Sequence, residues 1–360
     1  MTQLLINGRF LTQNMTGVQR FALEITRALT AQGHADVLAP PSARDERGMT
    51  IHRVGHLRGQ AWEQLDLPRH ATSGVLLNLG NTAPLARRHQ VVVIHDAATF
   101  AFPESYSWRF RTWYYWLQRA LVRRGVCLAT VSAFARDSIA HHLDTDPATI
   151  AVIGEGAEHI LHSPADTGLL ARLGLVRRYV LAVGSLAIHK NLAALGATAA
   201  MLDARGMELV ITGDLDARVF GAAAGAASLA QPARYIGRVD DAGLRALYQG
   251  ADCFVFPSRH EGFGLPAVEA MACGCPVVAA RAGALPEICG DAALLADPLD
   301  PADIASAVAR VLDDPACAAK LRAAGATRAA AFTWDAAAHR LAALAASLGP
   351  GDKKQCQRMQ

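Results

Sequence analysis

Short apolar runs alternate with stretches of helical period along almost the whole chain. Runs at 4–6, 75–79, 91–94, 127–131 and 150–153 predict a first series of strands. A second series follows at 179–183, 209–212, 234–236, 253–257 and 276–279. Between them, apolar positions recur at helical spacing over 18–31, 108–124, 192–205 and 266–273. Runs that stay apolar on both faces suit parallel strands covered by helices, so the alternation predicts an α/β protein. The series restarts after 154–168, a weakly periodic segment containing Gly154, Gly156, Pro164 and Gly168. The restart predicts two similar Rossmann-like domains, 1–165 and 166–333, a last helix over 334–349 crossing back to the first domain, and a polar tail over 350–360. Two such halves would place a cleft at the C-terminal edges of their parallel sheets, where open α/β folds bind ligands.

Composition then narrows the class. A length of 360 residues suits two domains, and 52% hydrophobic against 19% charged residues excludes a disordered chain. A net charge of +3 without a concentrated basic stripe argues against a nucleic-acid partner. Seven cysteines show no framework spacing: Cys273 and Cys275 form a C-x-C with no second pair nearby. Reduced, partly buried thiols are expected. The N-terminus shows no basic, apolar leader, and no stretch approaches the ~20 apolar residues of a membrane span. The expected location is the cytoplasm, at the inner face of the cell membrane if a lipid-binding surface exists.

The stretch that carries chemistry is 258–281, SRHEGFGLPAVEAMACGCPVVAAR. It leaves an apolar strand, passes Gly262 and Gly264, and opens a helix at Pro266, where a missing N–H costs nothing. The amides of Phe263, Gly264 and Leu265, with the helix dipole, then form an anion site that glycines let a phosphate approach. Glu261 precedes the helix and Glu269 lies about one turn into it. A carboxylate at Glu269 suits a ribose diol beside phosphates at the helix mouth, and Glu261 faces what the distal phosphate carries. The plainer alternative is two acids favourably placed near a helix N-terminus.

This stretch resembles the E-x7-E motif of the retaining, two-Rossmann-domain glycosyltransferases of the family-4, GT-B type. The similarity extends through TGVQRFALEI (16–25), VVVIHDAATFAFPESYS (91–107), TVSAFARDSI (130–139), VLAVGSLAIHKNL (180–192), LVITGD (209–214) and YIGRVDDAGLRALYQGADCFVFPS (235–258). Bacterial polysaccharide-assembly mannosyltransferases look nearest. The resemblance implies a GT-B fold, with parallel sheets facing across a cleft, and a nucleotide-sugar donor. It also implies that Glu269 holds the donor ribose and that Glu261 lies by the transferred sugar, near the amides of Phe263, Gly264 and Leu265. Val239 would sit near the base, Gly17 would approach the donor phosphate, and His95 would contact the sugar with Asp96 beside it. A strand-end histidine satisfied by a loop is the alternative for His95. Lys190 would place a point charge on the diphosphate leaving group, the alternative being a solvated loop lysine. The family also carries an arginine directly after the glycine or directly before the lysine. Here those positions are Ser185 and His189, so His189 or an arginine elsewhere would supply the second cation.

No metal and no cofactor are expected. Of two D-x-D strings, Asp144-Thr145-Asp146 precedes Pro147 like a turn, and Asp214-Leu215-Asp216 follows a strand. A helix N-terminus with Lys190 meets the leaving-group charge without an ion. The course implied by the family is retention, by same-face attack assisted by the leaving phosphate. Residues 106–116 contain seven aromatics, and Arg109, Arg111, Arg119, Arg123 and Arg124 lie in or just after them. Phe110, Trp113, Tyr114, Leu117 and Leu121 share a core-facing side, while Trp108, Tyr115 and the arginines fall elsewhere on the helix. The second set suits either a bilayer surface approaching a polyprenyl-linked acceptor or an ordinary amphipathic helix. The expected function is therefore transfer of a sugar, mannose from GDP-mannose first and a UDP-sugar next, onto a glycan or lipid-linked glycan. A sugar-nucleotide epimerase or hydrolase on the same fold, or a silent sugar-nucleotide binder, are the alternatives. A nicotinamide dehydrogenase is disfavoured because no G-x-G-x-x-G follows the first strand.

Overall fold

A computed structural model describes residues 3–33, 35–213 and 230–348. The chain divides into two compact units. The first takes the residues through Phe100, then Arg109–Gly156 and the stretch from Thr333; the second takes Ala101–Trp108 and Ala157–Phe332. The division thus falls after Gly156 and not at 165, and an eight-residue piece of the first half, 101–108, belongs to the second unit.

Unit 1 is built on β1 (Leu4–Asn7), β2 (Ala35–Ala39), β3 (Ile51–Arg53), β4 (Val75–Asn78), β5 (Gln90–Val93), β6 (Cys127–Thr130) and β7 (Ile150–Val152). The spatial order is β3-β2-β1-β4-β5-β6-β7, and every pairing is parallel. β1, β4, β5 and β6 are buried at every residue, as strands covered on both faces must be. The helix Gly17–Ala31 lays Phe21, Ile25 and Leu29, spaced four apart, into the core. Its neighbour is the helix Trp334–Ser347, whose Trp334 ring meets Phe21 edge-on at 6.0 Å. That last helix is started by Thr333, whose hydroxyl accepts from the Ala336 N–H at 3.2 Å.

Unit 2 is built on β8 (Tyr179–Val183), β9 (Glu208–Thr212), β10 (Arg234–Tyr235), β11 (Cys253–Phe256), β12 (Val277–Ala280) and β13 (Ala293–Ala296). The order is β10-β9-β8-β11-β12-β13, again all parallel. At its centre β8 pairs β11, Val180 beside Cys253 and Leu181 beside Phe254. One face of this sheet is covered by Leu195, Leu202, Ile304 and Val308, packed with Val180, Ile211, Val255 and Val278. Burying each such side chain contributes roughly 1.5–3 kcal/mol.

Three strands lie outside the predicted series: β2, β3 and β13. β3 is a three-residue edge with exposed His52 and Arg53, and β13 is Ala-Leu-Leu-Ala without a β-branched residue. Neither composition carries a strand signal alone; the pairing with β2 and β12 makes them strands. The helix expected over 192–205 divides into a 3-10 turn, Leu192–Leu195, and an α-helix, Gly196–Ala204.

Candidate functional site

In each sheet the direction of winding reverses beside the first strand, and loops leaving the two strands at that point part to open a crevice. In unit 2 those strands are β8 and β11. After β8 the chain runs through Gly184 and the half-buried Ser185 to a 3-10 turn, Ile188–Lys190. After β11 it runs through Pro257 to Gly264 and into the helix Leu265–Ala272. The loops are stitched together by their backbones. Arg259 N–H donates to the His189 carbonyl at 2.8 Å. Asn191, in left-handed conformation at φ 57°, donates its side-chain amide to the carbonyls of Pro257 and Pro298, at 3.1 and 2.8 Å. The result is that Lys190 Nζ stands 2.7 Å from Glu261 Oε1, the lysine side chain 23% and the glutamate 12% exposed. The two residues expected to act on opposite ends of one phosphoester are thus an ion pair at the crevice.

The helix begins at Leu265, one residue before the expected start, and Pro266 is its second residue. The proline still lies in the first turn, where no intrahelical donor is needed. Gly264 before it has φ 99°, and a Cβ there would stand 2.5 Å from Leu285 Cδ2, so this position requires glycine. Among the described residues, the N–H groups of Phe263, Gly264 and Leu265 donate to no protein acceptor, whereas the Ala267 N–H closes on the Gly264 carbonyl at 2.9 Å. Gly262 is buried beside them. Glu261 is fixed by its backbone, its carbonyl accepting from the Ala284 N–H at 3.0 Å. Glu269 falls in the second helical turn and is buried. Its two oxygens meet His159 Nε2 at 3.0 Å and the Tyr248 hydroxyl at 3.1 Å.

Along the same sheet edge, Gly213 follows β9, and a Cβ there would lie 2.0 Å from the Gly184 carbonyl oxygen. Its N–H donates to the Gly237 carbonyl at 3.0 Å. Val239, half-buried, comes two residues later and precedes Asp240, whose carboxylate caps the helix Asp241–Gly250 through the Gly243 N–H at 2.9 Å. Unit 2 therefore brings together Ser185, His189, Lys190, Glu261 and the amides of 263–265. It places Val239 on the same edge.

Unit 1 holds the other two expected residues. Gly17 is the exposed first residue of the helix Gly17–Ala31, and Thr16 before it makes no side-chain cap. A Cβ at Gly17 would meet nothing within 4 Å, so only an incoming group would make glycine necessary there. His95 is buried, its ring centroid 4.6 Å from that of Phe21 in an edge-on arrangement. Its Nε2 lies 2.9 Å from the Leu79 carbonyl, which can only accept, and so Nε2 carries the hydrogen. Its Nδ1 faces Glu155 Oε1 at 3.4 Å. Nε2 is therefore held within unit 1, and Nδ1 is the ring nitrogen left to meet a sugar hydroxyl. Asp96 accepts from the Ala98 N–H at 2.8 Å.

Comparisons with known proteins complete the picture. The family described as glycosyl transferases group 1 matches residues 177–314. The O-antigen chain mannosyltransferase B of Escherichia coli is 30% identical over 79% of this chain and 76% of its own. The chain belongs to the glycosyl transferases group 1. The D-inositol 3-phosphate glycosyltransferase of Corynebacterium glutamicum is 31% identical over 63% of this chain and 58% of its own. Among solved structures, Anabaena HepE in complex with UDP-glucose matches with a TM-score of 0.74 at 19% identity, covering 97% of this chain and 100% of that one. Sucrose-phosphate synthase of Thermosynechococcus elongatus matches at 0.73 and 21%, covering 96% and 98%. The glycosyltransferase has the GT-B fold, two units each with a parallel sheet covered by helices.

Sequence reasoning missed two groups of residues in this glycosyltransferase. The segment 101–108 packs in unit 2 against both loops: Phe102 lies 6.0 Å from the His189 ring and 5.6 Å from His260, and Tyr106 stacks on His189 at 6.5 Å. His189 is thereby a packed residue, and Arg259, with its guanidinium 5.5 Å from the Phe102 ring, is an arginine the fold brings there. The second group is a buried network at the switch point of unit 1. Asn7, ending β1, donates to Asn78 Oδ1 at the end of β4 and to Glu63 Oε1, at 3.0 and 2.8 Å. Arg9 Nε and the Thr82 hydroxyl reach the same Glu63 oxygen, each at 3.0 Å. Glu63 sits on a π-helical turn, Trp62–Asp66, a local rarity that clusters at functional sites. Asn at the end of two apolar strands was the available signal.

Among the described residues no three His, Cys, Asp or Glu side chains converge as metal ligands. Asp144 ends the helix Ala133–Leu143 in left-handed conformation and Asp146 caps the next turn, while Asp214-Leu215-Asp216 lies outside the described residues. Cys253 and Cys275 are buried free thiols, and burial pushes Cys273 and Cys289 up to about 12. In the helix Trp108–Arg123, Leu117, Gln118 and Leu121 are buried. Trp108, Trp116 and Tyr115 are 66%, 54% and 41% exposed. Phe110, expected on the inner side, is also exposed; it lies in the first turn, and its ring stacks on Tyr114 at 4.1 Å. No described helix is long and apolar enough to cross a membrane.

Proposed function

We propose that this glycosyltransferase moves a hexose from a nucleotide-sugar onto a glycan or lipid-linked glycan in cell-surface polysaccharide assembly. Mannose from GDP-mannose is the first choice, supported by the O-antigen mannosyltransferase relative; a UDP-sugar is second, supported by HepE with UDP-glucose. The observation that carries the reading is the Lys190–Glu261 pair at 2.7 Å beside the helix Leu265–Ala272. As the bond to the donor sugar breaks, negative charge collects on the diphosphate. Lys190 has three N–H groups and gives one to Glu261, so two remain for phosphate oxygens. The amides of Phe263, Gly264 and Leu265 add the partial positive charge of a helix start. This is preorganised stabilisation of a leaving group, and it needs no ion. Glu261 then lies by the transferred sugar, Glu269 by the ribose and Val239 by the base. Retention follows from attack on the same face that the phosphate leaves, the phosphate oxygen taking the acceptor proton.

A panel of nucleotide sugars in thermal-shift format tests the reading. GDP-mannose is expected to stabilise the wild-type chain and to do so far less for Lys190→Ala. Stabilisation by no nucleotide sugar would overturn the assignment. Proton NMR of the product separates retention from inversion, and full activity in a chelator is expected if the leaving group needs no metal. The exposed Trp108, Tyr115 and Trp116, with Arg119 and Arg123, support a bilayer-facing side to the helix Trp108–Arg123. Flotation with anionic vesicles, unaffected by Arg119→Glu and Arg123→Glu, would end that idea.

A further inference from the structure

Glu269 is gripped by two residues outside the motif that supplies it. The Tyr248 hydroxyl, on the helix Asp241–Gly250, donates to Oε2 at 3.1 Å, and Tyr248 is fully buried. Burial, and next to it the Glu269 charge, hold the phenol well above its ordinary pKa, so it stays a donor. On the other side, His159 Nε2 lies 3.0 Å from Oε1, and the ring is also buried. An ionised carboxylate only accepts, so Nε2 carries the hydrogen. His159 belongs to the short turn Glu158–Leu161, two residues after the chain enters unit 2 at Ala157.

One bond to each oxygen stops the carboxylate from turning about its Cγ–Cδ bond. Each oxygen keeps a further lone pair for another donor. We propose that His159 and Tyr248 are positioning residues for Glu269, holding its carboxylate in the plane that accepts the 2′ and 3′ hydroxyls of a nucleoside diphosphate. The proposal rests on the placing of the ribose at Glu269. A carboxylate already held loses no rotational freedom when the diol arrives, and both hydroxyls find acceptors at once. With either grip removed, Glu269 rotates toward the remaining donor and presents the wrong edge.

The test is calorimetric binding of GDP and of 2′,3′-dideoxy-GDP to the full chain, or of the UDP pair if UDP binds more tightly. The wild type is expected to favour GDP over its dideoxy analogue, which lacks both hydroxyls, by at least about tenfold, two charge-assisted hydrogen bonds being lost. His159→Ala is expected to abolish that preference by weakening GDP about tenfold, leaving the analogue within about twofold. His159→Gln, which returns an N–H donor near the Nε2 position, is expected to restore most of it. Tyr248→Phe keeps the ring and is expected to weaken GDP about threefold, again sparing the analogue; it carries the test alone if His159→Ala does not fold. A folded His159→Ala and Tyr248→Phe that both keep the wild-type preference overturn the positioning role and leave the ribose placement standing. Equal loss of both ligands also overturns it, as damage to the site at large. A wild type that does not distinguish the two ligands sinks the ribose placement itself.

Discussion

Both sheets reverse their winding beside their first strand, unit 1 between β1 and β4 and unit 2 between β8 and β11. In unit 1 both strands end in asparagine, and Asn7, Asn78 and Arg9 bond to one another or to Glu63 Oε1 inside the protein, while the buried Glu63 Oε2 has no partner among the described residues. In unit 2 the strands end in Val183 and Phe256, and the polar groups stand further out, on loops where Lys190 and Glu261 keep some exposure. A shared topology thus opens two crevices. One is spanned by the protein's own hydrogen bonds, and the other carries a cation, three amides and a carboxylate, the groups we propose meet the donor.

The sharpest way to break this contrast is Glu63→Ala. Removing one partner of a buried ion pair is expected to cost about 3–5 kcal/mol of folding stability, measured by urea unfolding, while nucleotide affinity stays within about twofold. Lys190→Ala is expected to do the reverse. It should lower kcat/KM by about 10²–10³, the cost of removing one preorganised donor, or about 2.7–4 kcal/mol. Its melting temperature should fall less than that of Glu63→Ala, since the lysine is 23% and the glutamate 12% exposed and water reaches the carboxylate left behind. If Lys190→Ala unfolds the chain and Glu63→Ala abolishes turnover at full stability, the contrast is wrong. Gly264→Ala comes next: the positive φ costs about 1–3 kcal/mol, and the clash with Leu285 adds to it. Leu285 is itself fully buried, so the relief is read as coupling: in a Leu285→Ala background, thermal unfolding should show a smaller cost for Gly264→Ala than in the wild type, with the strain remaining. Phe102→Ala should have the smallest effect, about 0.5–1.5 kcal/mol, read as a few-fold rise in donor KM as the ring beneath Arg259 is lost.

Much of this was legible along the chain. Most strands of both sheets announce themselves as apolar runs, and the loop-to-helix passage through Gly262, Gly264 and Pro266 is written in its own residues. Less visible were β3 and β13, too short or too rich in alanine to signal a strand without a neighbour to pair with. The sugar contact for His95 was implied by the resemblance, and what the fold adds is that its Nε2 is held by the Leu79 carbonyl while Nδ1 faces Glu155.

By itself the sequence determined the α/β class, the two-fold repetition of its strand series and the glycine-bracketed helix start, because each depends on residues within a few positions of one another. Only the tertiary structure decided that Lys190 meets Glu261 across 71 residues and His159 meets Glu269 across 110. It alone placed Phe102 and Tyr106 in the second unit. Such partners are set by which strands lie side by side and where their loops emerge, and strand order leaves no local imprint on the residues it brings together.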